Sequence, residues 1–265
     1  MFIECLNNLV LKFLFLKEKK SSKKHFFILP IVSAIVLLGI SISIAESIVP
    51  AYASSVSSSS SFAINNTSQY VDEFGYLYIL GEISNHSEES LSNITLKATF
   101  FDSDGRVLGE YYRHPEISLI NPNEISPFEI IYLDPSTSEK VKNFTIDTKF
   151  QTGNKQDTKP ERLFIESVNS RLDLTGFYYI NGKIKNEGLE NANNVTVVAT
   201  IYDKKGNVIG ITKSVTEPFV IPPEQTAAFG LAVTSKSNTF KISDFSLKAY
   251  SNEYLSHTVT TKKNK

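Results

Sequence analysis

Asp102-Ser103-Asp104-Gly105 sets carboxylates two residues apart, just ahead of a glycine. Closely spaced carboxylates are hard oxygen ligands, so the stretch has the opening of a calcium loop. A related stretch lies 101 residues later, Asp203-Lys204-Lys205-Gly206, with a lysine where the first has Asp104. A cation site common to both stretches would not tolerate that ammonium, and no bidentate glutamate follows at EF-hand spacing. What both retain suits a tight hairpin turn: an Asp that bonds backbone two residues on, and a Gly free to take positive φ. Asp102, Gly105, Asp203 and Gly206 are therefore expected to be turn residues.

Other chemistry is sparse. His25, His86, His114 and His257 do not pair with one another at ligand spacing. Cys5 is the only cysteine and Met1 the only methionine. Disulfides, thiol catalysis and Cys-ligated metals are thereby excluded from the rest of the chain. No G-x-S-x-G elbow and no glycine-rich phosphate loop is present. The reading is a protein that is not an enzyme, with no catalytic, cofactor-binding or metal-ligating residue expected. Asn-x-Ser/Thr sequons occur at Asn65, Asn66, Asn85, Asn93, Asn143 and Asn194. These are candidate glycosylation sites if the chain is exported.

Export is what the N-terminus suggests. Lys17, Lys19, Lys20, Lys23 and Lys24 precede an uncharged apolar run, residues 26–45, and Ala51-Tyr52-Ala53 follows it. Basic patch, apolar run and A-x-A make a secretory signal with cleavage after Ala53. At about 1.5 Å per residue the same run also spans a bilayer, so retention as an anchor stays open. Residues 1–53 are thus expected to be a signal peptide or signal anchor, and 54–69, with its serine run, a flexible linker. Residues 1–53 hold six lysines and three acidic residues, leaving 21 basic and 25 acidic groups beyond them. Such a weakly acidic remainder does not suit nucleic acid.

The elements that must position these residues come from a repeat. Gly75, Gly81, Asn85, Asn93, Asp102, Gly105, Pro122, Phe128 and Phe144 recur 101 residues on as Gly176, Gly182, Asn186, Asn194, Asp203, Gly206, Pro223, Phe229 and Phe245. "ITLKATFFD" and "VTVVATIYD" alternate with period two and are rich in β-branched and aromatic residues, which predicts strands. Ile94, Leu96, Ala98 and Phe100 share one face, and Val195, Val197, Ala199 and Ile201 repeat it. Short strands with regular turn signals predict an all-β chain: two tandem immunoglobulin-like β-sandwich domains after an N-terminal signal or anchor helix. The expected limits are 70–150 for the first copy and 162–255 for the second. Residues 151–161 read as the interdomain linker and 256–265 as a polar tail.

The strand–Asp-x-x-Gly–strand pattern, preceded by G-x-I-x-N and followed by a Pro-containing turn, resembles the FxLYD-type domain. The motif positions here read "TFFD" and "TIYD". The resemblance covers about 76 residues of each copy and implies small extracytoplasmic sandwiches without an assigned activity. The functional expectation is a secreted or membrane-anchored spacer or interaction protein, its partner a protein or surface glycan. The alternative is an accessory subunit of a membrane complex, held by an uncleaved N-terminal helix.

Overall fold

The computed structural model describes residues 53–56, 61–153, 158–234 and 236–262. Residues 1–52 of the segment expected to be a signal or anchor, with its apolar run 26–45, lie outside the described residues, as do 57–60 of the serine run and 154–157 of the expected linker. The described chain is all-β with several sheets, the composition a β-sandwich requires. Among the described residues, no helix is long and apolar enough to cross a membrane.

Seven strands come from the first copy: β1 Ala53–Val56, β2 Phe62–Val71, β3 Leu77–Asn85, β4 Leu91–Phe101, β5 Val107–Arg113, β6 Ile125–Tyr132 and β7 Asn143–Thr152. They form a sheet β2-β3-β6 and a sheet β1-β7-β4-β5. The second copy supplies β8 Glu161–Leu172, β9 Tyr178–Asn186, β10 Ala192–Asn193, β11 Thr196–Tyr202, β12 Val208–Val215, β13 Val220–Ile221, β14 Thr226–Val233, β15 Asp244–Tyr250, β16 Leu255–Ser256 and β17 Val259–Lys262. Here β16 joins what would be separate sheets into one, in the order β12-β11-β15-β16-β8-β9-β14. It does so by pairing Leu255 with Tyr250 on one side and with Glu161 on the other. Strands β10 and β13 make a separate pair.

The period-two reading of the inner faces holds. Ile94, Leu96, Ala98 and Phe100 are buried, and so are Val195, Val197, Ala199 and Ile201. Apolar burial at about 25 cal/mol per Å² is the main force holding such faces inward. Three of the buried apolar clusters follow the copies, one drawing wholly on residues of the second and two on residues of the first. The repeated glycines in β3 and β9 have a shared cause. Gly81 lies opposite Phe128, and Gly182 opposite Phe229. A Cβ on Gly81 would sit 2.7 Å from the Phe128 ring, and one on Gly182 2.6 Å from the Phe229 ring. Each phenylalanine ring occupies the space a side chain on its glycine would need, so only hydrogen fits there without a shift.

Two expected boundaries need correction. The expected flexible linker 54–69 contains strand at both ends: Ser54, Ser55 and Val56 belong to β1, paired to β7, and Phe62–Val71 is a full strand paired to β3. Phe62 is buried and stacks edge-on against Phe150, so this segment has apolar area to bury despite its polar composition. The expected tail 256–265 likewise contains β17, which pairs with β15 from Asp244↔Lys262 to Leu247↔Val259. Alternation in "HTVTTK" is too short and too polar to announce a strand. Its place is set by the open edge of β15, since an unpaired edge is costly to leave bare.

Candidate functional site

Asp102, Gly105, Asp203 and Gly206 sit where the repeat puts them, in the turns between β4 and β5 and between β11 and β12. Asp102 Oδ1 accepts the backbone N–H of Asp104 at 2.8 Å and of Arg106 at 2.9 Å. Asp203 Oδ1 accepts those of Lys205 and Asn207 at the same distances, 2.8 and 2.9 Å. Gly105 and Gly206 take φ of 77° and 84°. Burial alone would raise the Asp203 carboxyl, but its bonds from Asn207 and Lys205 outweigh that and hold it below the ordinary value. These carboxylates are occupied by the chain's own amides. The same turn recurs at Asp72–Tyr76 and Asp173–Phe177, where Oδ1 again accepts from the second and fourth residues on. The signal was present in "DEFG" and "DLTG", also 101 residues apart, but flanking apolar residues masked it.

The sequons divide by accessibility. Asn65, Asn66, Asn93 and Asn194 are exposed, and Asn143 is half-buried. Asn66, Asn93 and Asn194 adopt positive φ, so they serve as bulge or turn residues as well. Asn85 must be withdrawn as a glycan acceptor. It is 0% exposed, and its Nδ2 donates to the carbonyls of Glu89 and Ile120 at 2.7 and 2.9 Å. Asn186 repeats the arrangement on Glu190 and Ile221, both at 2.8 Å. The matched asparagines are internal pins that satisfy loop carbonyls, which a buried loop could not otherwise do.

The feature that sequence reasoning missed is a seam between the copies, where the outward face of β11, β12 and β15 lies on that of β2, β3 and β6. Val198 and Leu255 pack with Ile117 of the first copy, flanked by Ile211 and Tyr250. Tyr202 donates its hydroxyl to Glu82 Oε1 at 2.5 Å, and Asn66 Nδ2 holds the other oxygen at 2.7 Å. Glu82 is buried at 2% exposure, so these donors replace its lost water. Burial and then the Glu82 charge push the Tyr202 hydroxyl well above the usual tyrosine value. Ser68 donates its hydroxyl to the Val208 carbonyl. Lys213 pairs with Glu116 at 2.7 Å, and Lys248, nearly buried, pairs with Glu124. Asn121 Nδ2 reaches the Lys159 carbonyl at 3.0 Å.

His25 lies outside the described residues, and the three described histidines are placed apart. His86 and His114 are exposed, with His114 Nδ1 2.7 Å from the Ile94 carbonyl. His257 Nδ1 lies 2.7 Å from Glu161 Oε2. Of the tyrosines, Tyr111 packs edge-on against Phe100, while Tyr78 stacks on Tyr70 with ring centroids 4.7 Å apart. Tyr112 is 55% exposed.

No family model matches the chain, and no curated protein matches it. Among solved structures, Amycolatopsis orientalis exo-chitosanase CsxA aligns at 10% identity with a TM-score of 0.29, over 75% of this chain and 26% of that one. Red sea bream transglutaminase aligns at 9% identity and a TM-score of 0.27, over 77% of this chain and 32% of that one. A calcium-binding mutant of Bacteroides uniformis beta-glucuronidase 2 aligns at 15% identity and 0.27, over 75% of this chain and 28% of that one. This chain therefore spans a third or less of those proteins' lengths. Likeness at this level carries no statement about activity.

Proposed function

We propose that the chain is a non-enzymatic extracytoplasmic module, a spacer or interaction unit secreted or held at the membrane by its N-terminal apolar run. In this reading it is built of two tandem immunoglobulin-like sandwiches of the FxLYD-type pattern. The observation that carries the proposal is the seam. A spacer has to resist hinging, and the copies are joined by an apolar cluster and by polar pairs at Glu82, Glu116 and Glu124. Buried interfaces of this kind oppose the relative motion expected of loosely linked domains. The faces left open offer a partner surface: Val107 and Tyr112 on edge strand β5 are 57% and 55% exposed. An edge strand of this kind can accept a partner strand.

The test is protease shaving of intact cells, followed by cross-linked capture and sequencing of the mature N-terminus. The expected result is cleavage of the folded part without lysis, and a defined partner protein or glycan on the cross-linked species. A start at Ser54 selects the secreted form, and retention of residues 26–45 selects the anchored, accessory form. Full protection until the cells are lysed overturns the proposal.

A further inference from the structure

Glu124, which pairs with Lys248 at the seam, and the His257–Glu161 pair lie beside one another. Glu124 precedes β6, Glu161 opens β8, and His257 lies between β16 and β17. Each offers one ligand atom, and these atoms all lie within 4.8 Å of one another. We propose that Glu124, Glu161 and His257 form a site for a single divalent transition metal of the zinc type, one that ties the two copies together.

The donor set is two carboxylate oxygens and an imidazole nitrogen, which with solvent in the fourth position suits zinc. Zinc bonds of roughly 2.0–2.2 Å set ligands about 3.3 Å apart. Closing the present spacing asks for a shift of about 1.5 Å at most on that geometry. The His257 side chain is 77% exposed and so is free to swing. His257 Nδ1 and Glu161 Oε2 are already 2.7 Å apart, a contact that a metal ion would replace. The carboxylate of Glu124 is steadied by Lys248 and by Thr258 Oγ1. Ligating carboxylates are ordinarily held by such outer partners. Lys248 also offsets part of the negative charge, which sets the site toward modest affinity. Imidazole favours zinc, nickel or copper over calcium and magnesium.

A second observation is independent of the distances. The cluster is not inherited from the repeat. The matching positions of the other copy are Gln225, Ser60, Gln156 and, for Lys248, Asp147. Every member is particular to its own copy, and the seam brings them together from segments far apart in the chain.

The experiment is calorimetric titration of the detergent-solubilised full chain with zinc chloride, then with calcium chloride, alongside thermal melts. One zinc per chain is expected, with a higher melting midpoint, and no response to calcium at the same concentration. His257→Ala alters an exposed side chain and is expected to keep the fold. It should weaken zinc at least tenfold and abolish the rise in midpoint, and Glu161→Gln should do the same. Absence of saturable zinc binding below about 100 µM overturns the proposal. So does zinc binding that survives intact in His257→Ala, which would place the ion elsewhere.

Discussion

Strands β3 and β9 occupy the same place in their copies and share an inner face of glycine, isoleucine and asparagine. Their outer faces have parted. Tyr78, Leu80, Glu82 and Ser84 face the seam in β3, and from Leu80 onward that face is buried as fully as the inner one. Tyr179, Asn181, Lys183 and Lys185 occupy those places in β9, where each is partly or fully exposed. The partner faces diverge in step. Lys97 and Glu110 form an ion pair at 2.7 Å on the open face of β4 and β5, where the second copy has Val198 and Ile211 inside the seam. Duplication thus kept what each sandwich-like core needs. It changed the positions that decide whether a face meets water or another sheet. Inner substitutions should act alike in both copies, and outer ones should act in only one.

The sharpest break in that comparison is Val198→Lys, which copies Lys97 into the seam. An unpaired buried ammonium should cost about 3–5 kcal/mol, seen in denaturant melts as early loss of the seam; Lys97→Val should change stability far less. Next, Asn85→Ala and Asn186→Ala should each cost about 2–3 kcal/mol, and nearly equally, because each strands two loop carbonyls. Unequal losses in urea titration would show that the pins are not equivalent. Gly81→Ala and Gly182→Ala should follow at about 2 kcal/mol, the range of overpacking a filled site. Tyr202→Phe should cost about 1–2 kcal/mol by removing a donor from buried Glu82, whereas Phe101→Tyr at the matched half-buried place, which has no such acceptor role to fill, should change stability less.

The smallest effect is in acid. The Asp173 carboxyl is held below its ordinary value chiefly by the Thr175 hydroxyl, and that of Asp203 by its turn donors against burial. A lowered folded value means stability that is complete above the unfolded carboxylate value near 3.9. That stability is lost as pH falls through the lowered one. Asp203→Asn should therefore flatten the acid limb of the stability curve below about pH 4. An unchanged limb would mean that the turns do not couple to folding.

Much of this was legible in the sequence, and what was missed has a physical reason. Period-two alternation located the buried faces of β4 and β11, because apolar side chains on one side leave a pattern that survives duplication. The seam left no such mark. Lys248, Ser246 and Glu82 read as solvent residues, and only a partner sheet carrying matching polar groups makes their burial tolerable. The trace that exists is comparative: Lys97 against Val198 and Glu110 against Ile211 show one copy losing charge where the other keeps it. His257 looked isolated because its neighbours, Glu161 and Glu124, are 96 and 133 residues away along the chain.

The ends of the described chain occupy equivalent edges, β1 running parallel to β7 and β17 antiparallel to β15. Ala53 and Ser54 are both within β1, paired to Asn143 and Phe144. A cut after Ala53 would therefore sever a bond inside a closed ladder, where a protease needs an extended, accessible strand. Processing at that bond has to run ahead of edge closure. Under the export proposed above, the order of two events, translocation and the zipping of β1 onto β7, would decide whether the mature chain leaves a leader behind or keeps it.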